Sequence, residues 1–419
     1  MKTKLNVATL ALLSTIILQP ASLFGQGALT PPGAPGPTMK SLAQIEPRTP
    51  ISSVPYVISA PGSYYLTTNL TTTVSNAIVI TANGVTLDLS GFTISSTVAN
   101  AANGGAAILI GGGLRNLTIL NGFVEGGVTN NGNGVFSGSG FASGINCGLV
   151  SASANTRVSG VSVAGCLTYG INLSTAVSTL VEACMVRTVG GFGILASTVK
   201  GSSAMDCGET AIFGLAVADC RGESGGYAGI QGRTVQNCYG SSISDIGLSA
   251  TTAQNCYGSS SSDVGISATT AQNCNGFSYG SGQGILADNA HDCNGSSISG
   301  VGLYVLNTAL NCFGISSSGT GLSAKNAQNC TGYSSGSAPG ILAETASNCY
   351  GESPNRGISA NVAISCSGRS DGGSYGLFAT SVANTCYGYS ASGTGLNAYI
   401  AIGCTGSSVT YTYHYNMPP

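Results

Sequence analysis

Residues 247–278 read GLSATTAQNCYGSSSSDVGISATTAQNCNGFS, one phrase stated twice with its cysteines 18 residues apart. The phrase recurs at Cys220, Cys238, Cys256, Cys274, Cys293, Cys312, Cys330, Cys349, Cys366, Cys386 and Cys404, with intervals between 17 and 20 residues. A fixed short period over half a chain is the mark of a solenoid, in which each copy packs only on its neighbours. Every copy has Ala or Val three before the Cys, Gly two after it and Ser four after it, while the residues one and three after it vary. Alternate residues of a strand share a face, so Cys, Gly and Ser point one way and the variable positions the other. The constant set must be the interior, because the variable set includes Glu352 and Arg369, and an unpaired buried charge costs several kcal/mol. A turn of 18 or 19 residues encloses a narrow interior, which these small side chains fit.

The residue before the Cys is Asn or Asp in the first eight copies, from Asp219 to Asn348. Ala to Cys is a gap of three, which breaks strand alternation and demands a bend. Asn and Asp tolerate the left-handed backbone such a bend needs. Turns stacked ~4.8 Å apart would set these amides in a ladder. In these features, over roughly residues 56–408, the chain resembles right-handed parallel β-helix proteins of the pectin lyase-like type. The resemblance implies an internal asparagine ladder. A left-handed hexapeptide helix also has 18-residue turns, but it needs three apolar marks per turn, and here Ile or Leu recurs once. The expected fold is all-β, a single right-handed parallel β-helix with short 18–19-residue turns in its C-terminal half.

Upstream, AIVITANGVTLDLSGFTI (77–94) and AAILIGGGLRNLTILNGFVEG (106–126) alternate β-branched residues between Gly and Asn, as strands of longer turns do. The Gly- and Asn-rich stretches 98–105 and 126–146 read as inserted loops. Together with PYVISAPGSYYLTTNL (55–70), these strand segments resemble the opening coils of secreted bacterial β-helix proteins. At the N-terminus, Lys2 and Lys4 precede an apolar run from Leu5 to Leu18 and then small residues, the pattern of a signal peptide cleaved between Ala21 and Gly27. The expected organisation is a signal peptide over 1–27 and a Pro-rich leader over 28–54. That leader resembles the one of an uncharacterised group of β-helix proteins, and Met39, Leu42 and Ile45 form one face of a short capping helix in it. The β-helix follows over 55–408, irregular over 55–219 and regular over 220–408, and 409–419 is a tail or cap. The protein is expected to be secreted or at the cell surface, without a membrane span in the mature chain.

A formal net charge of -2 with only 7% charged residues argues against nucleic-acid binding, which depends on clustered Lys and Arg. The fifteen cysteines follow the repeat, so they stack on one interior strip as small buried hydrophobes. Scattered disulfides are the alternative, since adjacent turns lie within the Cα range for a bridge, although parallel side chains do not present the near-perpendicular torsion. No CxxC pair exists, and His291 and His414 stand alone; metal sites and cofactors are not expected.

The pectin lyase-like resemblance implies polysaccharide lyases or glycosidases, which use clustered acids with calcium and an Arg base, or a pair of carboxylic acids. No polygalacturonase signature occurs. Nine charged residues do gather between Glu182 and Arg233, where the Cys spacing also breaks. Asp206, Glu209, Arg221 and Glu223 are the catalytic candidates there; the plainer reading is a solvated face of ion pairs such as Arg221 with Glu209. A second feature is an outward strip of Tyr239, Tyr257, Phe277, Phe313, Tyr333, Tyr350, Tyr387 and Tyr389. Spaced rings suit sugar stacking or docking of another protein; the plainer reading is that they fit an exposed strand. Ice binding is disfavoured because hydroxyl positions vary from turn to turn. The sequence therefore points to an exported, non-enzymatic surface or adhesion element with a polysaccharide or cell-surface partner, and a lyase or hydrolase using the charged cluster is the alternative.

Overall fold

Along the described residues each turn lies parallel on the one before it, in register apart from one-residue shifts at a few turns. Leu248 pairs with Ile266, Ala253 with Ala271, and Tyr257 with Asn275. The computed structural model describes residues 46–148, 154–175 and 178–415. The expected signal peptide and the capping-helix residues Met39, Leu42 and Ile45 lie outside them. The described chain is an all-β parallel solenoid of about 18 turns. One column of branched side chains runs its length, from Ile78 through Ile108, Ile145, Ile171 and Ile194 into Ile266 and on to Leu396, and these residues are fully buried. Each such side chain contributes roughly 1.5–3 kcal/mol of apolar burial.

Within a repeat the long strand Leu248–Gln254 gives way to the short strand Tyr257–Ser260. Pairing skips Thr251, and Thr251 and Thr252 are both exposed. A bend therefore lies between Ala250 and Ala253 as well as between Ala253 and Cys256, each a gap of three between inward residues. At the second bend Asn255 and Asn273 have φ of 52° and 51°, the left-handed backbone expected of them.

Backbone contact sets the width of the interior. A Cβ on Gly258 would lie 2.3 Å from the Gly265 carbonyl oxygen, and one on Gly265 would lie 2.4 Å from the Phe277 nitrogen; real Cβ atoms do not approach so closely. Ser260 is buried beside this contact, and its hydroxyl donates to the Asp245 carbonyl on the turn before (2.6 Å) while accepting from the Asp263 N–H (2.9 Å). Ser242 and Ser316 repeat both bonds. The inward serine therefore does more than fit: it ties its own loop and staples it to the preceding turn. All fifteen cysteines are buried and none is bridged. The single S–H of Cys256 has two carbonyl acceptors in reach, Gln254 (3.1 Å) and Val235 (3.4 Å).

The irregular half is more regular than its cysteines suggest. Met185, Ser203 and Arg221 stand in one register, so Cys184, Ser202 and Cys220 share the interior column 18 residues apart, with Ser202 in the place of a cysteine. Cys207 belongs to a different column, opposite Val189 and Ser224. The stretch 126–146 is not a plain loop. It holds an antiparallel hairpin, Gly127–Asn130 with Phe136–Ser139, and Ser143–Cys147, which begins in this stretch, is a solenoid strand between Ala106–Ile110 and Tyr169–Asn172. Pairing starts at Thr49–Ile51, inside the expected leader. It continues into Val409–Tyr415, which is a further strand of the solenoid where a tail or cap was expected.

The volume and the thiols of this interior can both be tested. Cys256→Leu overfills it and should cost about 1–3 kcal/mol, whereas Cys256→Ser should stay within about 1 kcal/mol of wild type, since Ser202 already donates to the Lys200 carbonyl (2.9 Å) from the same column. Urea denaturation measures both, and thiol titration of the denatured, unreduced protein should recover all fifteen cysteines. Burial also pushes the thiols of Cys166 and Cys184 up to about 12 and about 11, above the ~8.5 of a free thiol. The unfolded chain releases these protons first. Stability due to them is complete below pH ~8.5 and falls as pH rises toward the folded values, by about 1.4 kcal/mol per unit and thiol. Denaturation midpoints at increasing alkaline pH should decline accordingly.

Candidate functional site

The asparagine ladder exists, but on the outside. Asn237, Asn255 and Asn273 are exposed, which corrects the internal ladder that the family resemblance implied. Asn255 and Cys256 sit at the bend between the strands Leu248–Gln254 and Tyr257–Ser260, where the left-handed asparagine turns outward and the cysteine inward. Each amide donates toward the N-terminal turn: Asn237 to Asp219 (3.0 Å), Asn255 to Asn237 (3.0 Å) and Asn273 to Asn255 (3.3 Å). A second run goes from Asn348 to Asn329, Asn329 to Asn311 and Asn311 to Asp292. Each run of aligned amides ends on a carboxylate, the strongest acceptor available to it. The Asp292 carboxylate in turn carries no N–H to give Asn273, so the two runs do not join.

Beside the ladder stand the rings expected from the sequence. They project outward from the short strands but largely cover one another. Tyr239 and Tyr257 stack with centroids 5.1 Å apart and planes 3° from parallel, and the Arg221 guanidinium lies 5.0 Å from the Tyr239 ring. Tyr239 is half-buried as a result, although Tyr257 remains 38% exposed. Phe313, Tyr333 and Tyr350 form a tilted run at 5.6 and 5.8 Å. Phe277 meets Tyr279 edge-on. Tyr389 faces Arg369, and Tyr387 is 46% exposed. Burial, with the Glu352 carboxylate that accepts its hydroxyl (2.6 Å), pushes the Tyr350 phenol up to about 12. The strip is thus several self-stacked groups whose edges and hydroxyls face solvent, in place of a continuous platform of open ring faces.

Ladder and rings meet in one groove of about 950 Å³, lined by Asn237, Asn255, Asn273, Tyr239 and Tyr257, with Asp219 and Arg221 among its residues. It follows the solenoid across successive turns, with the ladder amide on three of them and the phenol on two, at a spacing of ~4.8 Å. The sequence supplied the tyrosines of this groove but not its asparagines.

The charged cluster divides among separate places. Arg157 bonds Glu182 and holds its carboxyl below the usual carboxylate range, while Lys200 stands opposite Glu182 on the next turn. Arg221 pairs with Glu223 (Nε to Oε1, 2.7 Å), not with Glu209. Asp206 accepts from Asn130 of the hairpin (2.7 Å) and from Thr188 (2.9 Å). Asp206 and Glu223 line a cleft of about 450 Å³ between the hairpin tip and the solenoid, and Glu209 lines neither this cleft nor the groove. Both cleft carboxylates are already occupied by protein donors. Among the described residues no three His, Cys, Asp or Glu side chains gather as a metal site, and no helix is long and apolar enough to cross a membrane.

The ladder can be tested by substitution. Asn255→Val places a β-branched residue at positive φ and should cost about 1–3 kcal/mol, while Asn255→Gly keeps the bend and loses only the amide. Asn273→Asp should cost about 1 kcal/mol, because it removes the donor to Asn255 and sets a second carboxylate against Asp292; Asp292→Asn should cost nothing. Thermal unfolding of the four variants distinguishes these outcomes.

No protein-family model matches the chain, and neither a curated protein nor a solved structure matches it. What the chain does is therefore read from its own side chains.

Proposed function

We propose that this protein is an exported, non-catalytic β-solenoid that acts as a rigid surface or adhesion element and binds a polysaccharide chain along its groove. The observation that carries this reading is the convergence of the exposed amide ladder and the Tyr239–Tyr257 pair on one groove parallel to the solenoid axis. Amides and phenols repeated at a fixed spacing suit a polymer whose hydroxyls also repeat. Binding sites place a few fixed polar groups in a concave surface, and here the backbone fixes them. Hydrogen bonds from ring edges and amides carry the recognition, with ring stacking secondary because the faces of Tyr239 are covered. Export rests on the N-terminal basic and apolar run.

The alternative, hydrolysis or lyase chemistry, has its best place in the cleft holding Asp206 and Glu223. Catalysis there would need a carboxyl free to exchange a proton with substrate. Retention on immobilised polysaccharides and release of reducing ends separate the two. Asn255→Gly with Tyr257→Ala should reduce retention at least tenfold, while losing about 0.5–1.5 kcal/mol of ring-pair stability. Asp206→Asn with Glu209→Gln should leave retention unchanged, and the wild type should release no reducing ends. Glu223 is unsuitable for this comparison because it orients Arg221 of the groove. Cleavage abolished by the Asp206 and Glu209 substitutions, or retention indifferent to the groove variant, would overturn the proposal.

A further inference from the structure

We propose that the groove selects an uncharged polysaccharide, such as a glucan or a polymer of N-acetylated hexosamine, and rejects polyuronates; this rests on the groove being the binding site. Only Asp219 and Arg221 bring charge to its lining. Arg221 is engaged by Glu223 through both Nε and a terminal nitrogen and lies over Tyr239, so its charge is compensated and its planar face is covered. Asp219 accepts from Asn237 and adds a negative charge midway along the lining, where the amide run ends. A polyuronate carries a carboxylate on every residue, and the lining meets it with no cation other than Arg221, whose charge Glu223 already compensates.

The chemistry of the ladder points the same way. Each central asparagine gives one N–H and one carbonyl lone pair to its neighbours along the axis. A second N–H and a second lone pair remain, offered at every turn. A hydroxyl both donates and accepts, so it satisfies the two together; the phenols of Tyr239 and Tyr257 have the same dual character. A carboxylate only accepts. It would leave the free carbonyl lone pairs of the ladder facing another acceptor, with the desolvation of both unrepaid.

The test is retention of the full chain on immobilised neutral glucan, immobilised N-acetylhexosamine polymer, polygalacturonate and alginate, each at low and high salt. A neutral matrix should retain the wild type with less than a twofold change between salt conditions, and neither polyuronate should retain it. Asn255→Gly should weaken retention on the neutral matrix at least tenfold. Asn275→Lys places a cation on an exposed strand position in the groove lining, and should create polyuronate retention that high salt removes. Polyuronate retention by the wild type that Asn255→Gly abolishes would overturn the ligand class and leave the groove as the site. Retention on no matrix, or retention untouched by Asn255→Gly, would overturn the groove reading itself.

Discussion

The close approach of backbone to backbone at Gly258 and Gly265 governs the rest of this molecule. With no room for a Cβ at either position, the solenoid is held to a narrow section. In the regular repeats every inward side chain must then be Val or smaller, or must be the single Ile or Leu of each turn, whereas the longer N-terminal turns bury several large side chains each. The Ala, Cys and Ser columns are the consequence. Because turns stack in register, what fits once fits at every copy, and the period in the sequence records that repetition.

A narrow interior leaves backbone carbonyls close to the core, and the small polar side chains answer them. Ser260 bonds two loops at once, and the single S–H of Cys256 has carbonyls in reach on its own turn and the one before. A buried acceptor left without a donor costs about 1–3 kcal/mol. The choice of Ser and Cys over Ala at these positions is therefore a matter of hydrogen bonding as well as volume. Stacked in parallel, the thiols meet carbonyls, and none is bridged.

The same register builds the outside. A left-handed residue beside each inward Cys sends its side chain to solvent, and stacking turns it into a hydrogen-bonded row next to the tyrosines. The columns were legible in the sequence because the section forces constant residues inward. The orientation of the asparagines was not legible, because they sit at the bend where alternation breaks, and the family resemblance pointed inward. Ser202 was hidden because counting cysteines cannot see a serine that does the same bonding. The pairing of Asp206 with Asn130 was beyond reach, since it depends on a hairpin 76 residues away in the chain, and no period announces where that hairpin folds back. Ring stacking was equally unreadable: spacing says that Tyr239 and Tyr257 are neighbours, not that their faces close on each other.

A groove whose floor is fixed by the backbone of every turn should hold a polymer without moving. The most direct measurement is a crystal structure of the protein soaked with a neutral oligosaccharide several sugars long. The account predicts density running parallel to the solenoid axis over Asn237, Asn255 and Asn273, with hydroxyls within hydrogen-bond distance of their amides and of the Tyr257 phenol. Density lodged instead beneath the hairpin, against Asp206 and Glu223, would contradict it.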